Sequence, residues 1–174
     1  MNNIFWGMLF IFLDFHLEFG GSKIGLIPDF IGYILIAYGI RELTTGRDRF
    51  SRMRTLAVVL TVYNAALYAM DFLGMSISLL PEVSIVLGLA SLLASLYFSY
   101  NIVMGIKDLE AALEQDIGAR RLYTVWTISA ILSLAIYVLI LIPVLNVLSI
   151  IAGLIVGIVF LVYLYRAKKL YYGV

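Results

Sequence analysis

The sequence has no cysteine, only one histidine and few charged residues. The absence of cysteine excludes disulfides, thiolate metal sites and cysteine nucleophiles. With one histidine and neither an HExxH nor a GxSxG motif, few groups are available for catalysis. This argues against an enzyme, although the acids leave a two-carboxylate mechanism open. A net charge of +1 gives no indication of a nucleic-acid partner.

The chain has fewer charged residues and more apolar residues than a soluble domain. Charged residues make up 13% of the 174 positions and hydrophobic residues 63%, with a mean hydropathy of +1.04, whereas about a quarter of a soluble domain is charged. Since roughly 20 apolar residues cross a bilayer as a helix, we predict an all-α integral membrane protein. We predict one transmembrane domain, 1–174, made of three helical hairpins at about 1–43, 55–107 and 120–169. The six apolar segments that form them are about 4–19, 28–43, 55–79, 83–106, 122–142 and 145–165.

The distribution of basic residues predicts the orientation. Eleven of the twelve fall on one side of this topology, and only Lys23 falls on the other. The positive-inside rule makes the basic side cytoplasmic and places both termini there. Aromatic residues near that side indicate an interfacial belt: Trp6, Tyr97, Tyr100, Tyr123, Trp126, Tyr163 and Tyr165. Four arginines of one basic loop are predicted to contact anionic lipid headgroups: Arg47, Arg49, Arg52 and Arg54.

The first hairpin is shorter than the others. Pro28 precedes Arg41 by 13 positions, whereas Pro81 precedes Lys107 by 26. At 1.5 Å per residue, Pro28 lies about 20 Å above the inner surface of a core about 30 Å thick. The first hairpin therefore either stops short of the outer surface or has a non-helical, partly re-entrant turn at 20–27. Short segments interrupted by Gly and Pro often mark a binding site in transporters.

The candidate ligand-binding residues are the ionisable residues in the outer half of the membrane or at its rim: Asp14, His16, Glu18, Asp29 and Asp71. Their oxygen and imidazole groups suit a divalent cation such as Mg, Mn or Zn, with Asp14, Glu18 and Asp29 as the metal ligands. On a helix, Asp14 and Glu18 share a face, whereas in an extended segment His16 aligns with both. Alternatively, Asp29 only starts a helix after Pro28, and Lys23 only neutralises an acid.

Other features are expected to form the scaffold. Gly153 and Gly157 favour close helix packing, and Asn64 and Asn101 are expected to make interhelical hydrogen bonds. Residues 107–121 form either a short amphipathic helix, with Gly118 as its C-cap, or an extension of the fourth span.

Three stretches carry a resemblance to a known family: FWGMLFIFLDF, IGLIPDFIGYILI and NIVMGIKDLE. They resemble an uncharacterised family of small multi-pass membrane proteins of Gram-positive bacteria with an IGLIPDFIGY-type N-terminal stretch. The resemblance is clearest over 4–43 and returns around 100–110. It implies a location, the bacterial plasma membrane, and implies no activity.

Two functions follow as hypotheses. The first is transport or binding of a cation or small cationic solute through an outward-facing acidic cavity in the first hairpin. The outer side has one basic residue, Lys23, and five acids, an excess of negative charge that concentrates cations. The five acids are Asp14, Glu18, Asp29, Asp71 and Glu82. The alternative is a non-catalytic assembly protein that packs on partner membrane proteins or on further copies of itself within the lipid bilayer.

Overall fold

The structure, a computed structural model, describes residues 1–12, 16–19, 22–25, 28–43, 48–73, 81–139 and 142–173. These residues form six helices and one two-stranded antiparallel sheet. The elements in chain order are α1 (Asn2–Phe12), β1 (His16–Phe19), β2 (Ser22–Gly25), α2 (Asp29–Leu43), α3 (Asp48–Phe72), α4 (Pro81–Leu113), α5 (Ala119–Val138) and α6 (Pro143–Tyr172).

The predicted helical class is confirmed, with a local exception at the first hairpin. Helix α1 ends at Phe12, short of the predicted 19, and two short strands precede α2. Among the described residues, three helical stretches are long and apolar enough to cross a membrane: Arg52–Met70, Gly88–Leu113 and Val144–Tyr172.

The chain divides into two compact units, Met1–Ser91 and Leu92–Val174, with the boundary inside α4. In the first unit, α2 packs against both α1 and α3, and β2 packs against α3. In the second unit, α5 packs against α6.

Helices α1 and α2 pack antiparallel with their backbones in close approach. A Cβ atom added at Gly7 would lie 2.5 Å from the carbonyl oxygen of Gly32 and 2.5 Å from Cγ1 of Ile36. A Cβ atom at Gly39 would lie 2.8 Å from the backbone nitrogen of Ile4. Since real Cβ atoms essentially never approach below 3.0 Å, these glycines are what permits the helices to come this close. In contrast, a Cβ at Gly153 would meet its nearest neighbour at 3.8 Å, an ordinary contact.

The connection between α4 and α5 decides between the two alternatives for residues 107–121 and corrects the predicted role of Gly118. Residues 107–113 continue α4, so the extension of the fourth span is the alternative that holds. Glu114 follows with φ 51°. Gly118 has φ 82° and lies at the N-cap of α5, not at a helix C-cap as predicted. It has no side chain to cap α5, and Glu110 supplies the missing acceptor: its Oε2 atom accepts from the backbone N–H groups of Ile117 and Ala119, each at 2.9 Å.

Polar contacts and buried apolar residues hold the second unit together. The indole N–H of Trp126 donates to Oγ of Ser99 at 2.9 Å, and the ring of Tyr100 lies 5.2 Å from that of Trp126. Asn146, near the start of α6, donates to the carbonyl of Ile136 on α5 at 2.8 Å. The buried apolar side chains of this unit are Phe98, Ile102, Val103, Ile106, Leu109, Ile117, Ala119, Leu122, Phe160, Leu164 and Ala167.

Candidate functional site

The first unit has a basic end. Arg41, in the last turn of α2, and Arg54, near the start of α3, line the same cavity. Because Ile4 of α1 contacts Gly39 of α2, the first residues of the chain lie at this end too. We call it the basic end of the unit.

The opposite end of the first unit carries the hairpin and the elements that contain four of the five predicted ligand residues. The ring of Phe30, at the start of α2, lies 5.8 Å from the ring of Tyr68, near the end of α3. Asp29 precedes Phe30, and Asp71 follows Tyr68 by three residues, so the backbone brings both acids to this end. Strand β2 also packs on α3. We call this end of the first unit the hairpin end.

The strand register places opposite charges across from each other. Glu18 pairs with Lys23, and His16 pairs with Gly25. The alternative in which Lys23 neutralises an acid stays a prediction, and the register makes Glu18 the residue directly opposite Lys23. The extended arrangement of the acidic segment holds for His16 and Glu18, which lie two apart in one strand and so share a face. Asp14, the third member of that segment, lies outside the described residues.

Of the five predicted ligand residues, the structure gives a side-chain environment for Asp29 alone. Asp29 is the first residue of α2, as predicted from Pro28, and its Oδ1 atom is buried. His16 and Glu18 are placed by their strand and Asp71 by its helix, and their side chains lie outside the described part. Among the described side chains no group of three His, Cys, Asp or Glu is arranged to hold a metal ion. The metal site of Asp14, Glu18 and Asp29 thus stays a prediction.

The hairpin register can be tested with an engineered disulfide. Directly opposite residues of antiparallel strands have Cα atoms about 4.5–5.5 Å apart, within the range that a disulfide bridges. We expect Glu18→Cys with Lys23→Cys to form an intramolecular disulfide under mild oxidation, read by mass spectrometry. The native chain has no cysteine to interfere. Leu17→Cys with Lys23→Cys is the control, since one step of register moves a side chain to the other face. Equal oxidation of both pairs would contradict the register.

Two mid-helix asparagines behave differently from the prediction. Asn64 donates to the carbonyl of Leu60 at 2.8 Å, and Asn101 donates to that of Tyr97 at 2.7 Å. Both bonds lie within the asparagine's own helix, so the expected interhelical bonds are wrong. A side-chain bond four residues back satisfies the amide locally. Near Asn64, Tyr63 Oη and Ser91 Oγ of the neighbouring helix lie 3.2 Å apart. Near Asn101, the interhelical contact among the described residues is that of Trp126 with Ser99.

The predicted lipid-binding arginines are only partly described. Arg47 and the side chain of Arg49 lie outside the described part, and Arg52 and Arg54 are exposed. Arg41, which we did not include in that group, shares a cavity with Arg54. Its spacing of seven residues from Ile34, with Ala37 and Tyr38 between them on the same helical face, is the sequence signal that marks this cavity wall.

Comparison with known proteins leaves the function to be inferred from the chain's own residues. No family model, no curated protein and no solved structure matches this chain.

Proposed function

We propose that this protein is a six-span membrane protein of the bacterial plasma membrane, with both termini in the cytoplasm, that binds a small cation or cationic solute at the outward-facing hairpin end of its first unit. It acts as a small transport protein or as the membrane-embedded binding component of one. The observation that carries the proposal is the two-stranded hairpin between two helices that are too short to cross a bilayer alone.

The helix lengths support an irregular outer half. Helix α1 has 11 residues and α2 has 15, about 16 and 22 Å at 1.5 Å per residue, against a hydrocarbon core of about 30 Å. The described elements between these two helices are the two strands. A two-stranded sheet leaves backbone N–H and C=O groups along its outer edges. Such groups are tolerated at membrane depth only against protein or in a water-filled cavity.

The residues brought to this end favour a cationic ligand. His16, Glu18, Asp29 and Asp71 all belong to elements that meet there. Ionisable residues within a membrane are costly and usually serve a ligand or ion. Because the register opposes Glu18 with Lys23, the remaining acids carry the excess negative charge. Asp29, with its buried Oδ1 atom at the start of α2, is the residue we expect to matter most.

The test is thermal unfolding of the purified protein in mild detergent with MgCl₂, MnCl₂, ZnCl₂ or choline chloride, against NaCl of equal ionic strength. A ligand that binds only the folded state adds about 2.7 kcal/mol at 100 times its dissociation constant. We expect stabilisation by at least one of these cations, and we expect Asp14→Asn with Asp29→Asn to remove most of it.

The matched control is Glu114→Gln, which also removes a carboxylate but lies on an exposed position of the second unit. It should keep the full cation response. If no cation stabilises the parent protein, and the double variant unfolds at the parent's temperature, the binding proposal fails and the assembly-protein alternative takes its place. A stoichiometric partner co-purified from native membranes would then support that alternative.

A further inference from the structure

A groove at the basic end of the first unit has a polar mouth and apolar walls. It lies between α2 and α3 and encloses about 400 Å³. Its lining residues recur at helical spacing on each helix, so each helix presents one continuous face to the groove. They are Ile34, Ala37, Tyr38 and Arg41 from α2, and Arg54, Val58, Thr61 and Val62 from α3.

The charge in the groove is confined to one end. Arg41 and Arg54 occupy that end, and no acidic side chain is among the described residues that line the groove. From Arg54 to Val62 the wall extends eight residues, about 12 Å along α3, and beyond Arg54 the described lining residues of this helix are Val58, Thr61 and Val62. The Thr61 hydroxyl donates to the carbonyl of Ala57 at 2.8 Å, on its own helix. The groove therefore offers two guanidinium groups at one end and an essentially apolar surface beyond them.

The groove is open along its side. Tyr38 is 59% exposed, Val58 51% and Val62 65%. Exposing such side chains to lipid carries no hydrophobic cost, because lipid tails are as apolar as the side chains themselves. A ligand can therefore enter sideways from the membrane as well as from its surface.

We infer that this groove binds an anionic phospholipid of the surrounding bilayer, with the phosphate on Arg41 and Arg54 and one acyl chain along Ile34, Val58 and Val62. Guanidinium groups bind phosphate oxygens through paired, charge-assisted hydrogen bonds. The apolar wall can contact a hydrocarbon chain joined to that phosphate, whereas a free phosphate ion would leave the wall without a ligand contact. The site lies at the opposite end of the unit from the hairpin, so the inference does not depend on the proposed cation site.

Native mass spectrometry of the delipidated protein, titrated with phosphatidylglycerol in mild detergent, tests the inference. We expect one phosphatidylglycerol to bind at least about tenfold more tightly than phosphatidylcholine. Arg41→Gln with Arg54→Gln should weaken that binding about tenfold or more, since one lost hydrogen bond to a charged group is worth about a factor of ten. Val58→Trp, which fills the groove and keeps both arginines, should weaken it as well.

The charge-matched control is Arg120→Gln with Arg121→Gln, which removes two exposed arginines of the second unit and should leave binding unchanged. Glycerol phosphate serves as the soluble probe. At the concentration at which phosphatidylglycerol saturates the site, glycerol phosphate should not displace the bound lipid. Each variant's unfolding temperature without lipid shows that it is folded. Undiminished binding by the Arg41/Arg54 variant, an equal loss in the control, or competition by glycerol phosphate would each overturn the inference.

Discussion

Replacing Gly7 or Gly32 by alanine is expected to destabilise the protein by about 3 kcal/mol, at the upper end of what overpacking costs. The added methyl group at Gly7 would lie 2.5 Å from the backbone oxygen of Gly32, and the one at Gly32 would lie 2.7 Å from the backbone oxygen of Gly7. Backbone atoms cannot rotate away as a side chain can, so the two helices must separate. Helix α1 has only 11 residues and depends on this packing, because isolated helices of that length are marginal.

The measurement can be restricted to the first unit. The chain has two tryptophans, Trp6 on α1 and Trp126 on α5. In a Trp126→Phe background, unfolding followed by tryptophan fluorescence therefore reports on α1. Gly153→Ala is the matched control in an apolar helix of the second unit. It is read through Trp126 in a Trp6→Phe background and should be neutral or stabilising by up to about 1 kcal/mol, the difference in helix propensity. Equal stability of Gly7→Ala and Gly153→Ala would contradict the close approach of α1 and α2.

The second large effect is expected at Glu110. Its Oε2 atom accepts two backbone hydrogen bonds of 2.9 Å, from Ile117 and from Ala119 at the first position of α5. Ile117 is 1% exposed and Ala119 is fully buried, so little solvent reaches their N–H groups to replace the acceptor. Hydrogen bonds to charged groups contribute about 1.5–3 kcal/mol each. We expect Glu110→Ala to lower the free energy of unfolding by about 3 kcal/mol.

Two further variants separate the hydrogen bonds from the charge. Glu110→Gln keeps an oxygen acceptor of the same shape and should lose about half as much as Glu110→Ala. Glu114→Gln, on an exposed glutamate one turn later, should change stability by less than about 0.5 kcal/mol. All three are read through Trp126 in a Trp6→Phe background by denaturant unfolding. A Glu110→Ala variant as stable as Glu114→Gln would show that Glu110 does not anchor α5.

Most of the helices could be predicted from local sequence, because helix ends are determined locally. Pro28 and Asp29 predict the start of α2. Helix α6 begins at Pro143 and ends at Tyr172, with Gly173 (φ 69°) as its C-cap. The prediction was wrong where the segment up to 19 was taken as helical. Two runs of four residues separated by Gly20-Gly21 are a recognised signal for a β-hairpin, and this signal outweighs the apolar character of the flanking residues.

The candidate site was predictable only in part. The ionisable residues could be named from their position in an apolar chain, and the structure brings the elements of four of them to one end of the first unit. Which of these residues lie opposite each other could not be predicted from the sequence. The opposition of Glu18 and Lys23 depends on which residues pair across the turn. The groove of Arg41 and Arg54 likewise depends on which faces of α2 and α3 meet.

The sequence by itself determined the helical class of the chain, the apolar character of its helices and the uneven distribution of basic residues, since all three follow from composition along short stretches of chain. Only the tertiary structure decided which glycines are indispensable, which side chain caps α5 and where the asparagines donate. Gly7 and Gly153 are indistinguishable within their helices, yet only Gly7 faces another backbone at contact distance. Glu110 and Ala119 lie nine residues apart, and their contact depends on how the chain turns between α4 and α5. Such contacts depend on how helices meet, which local propensity does not encode.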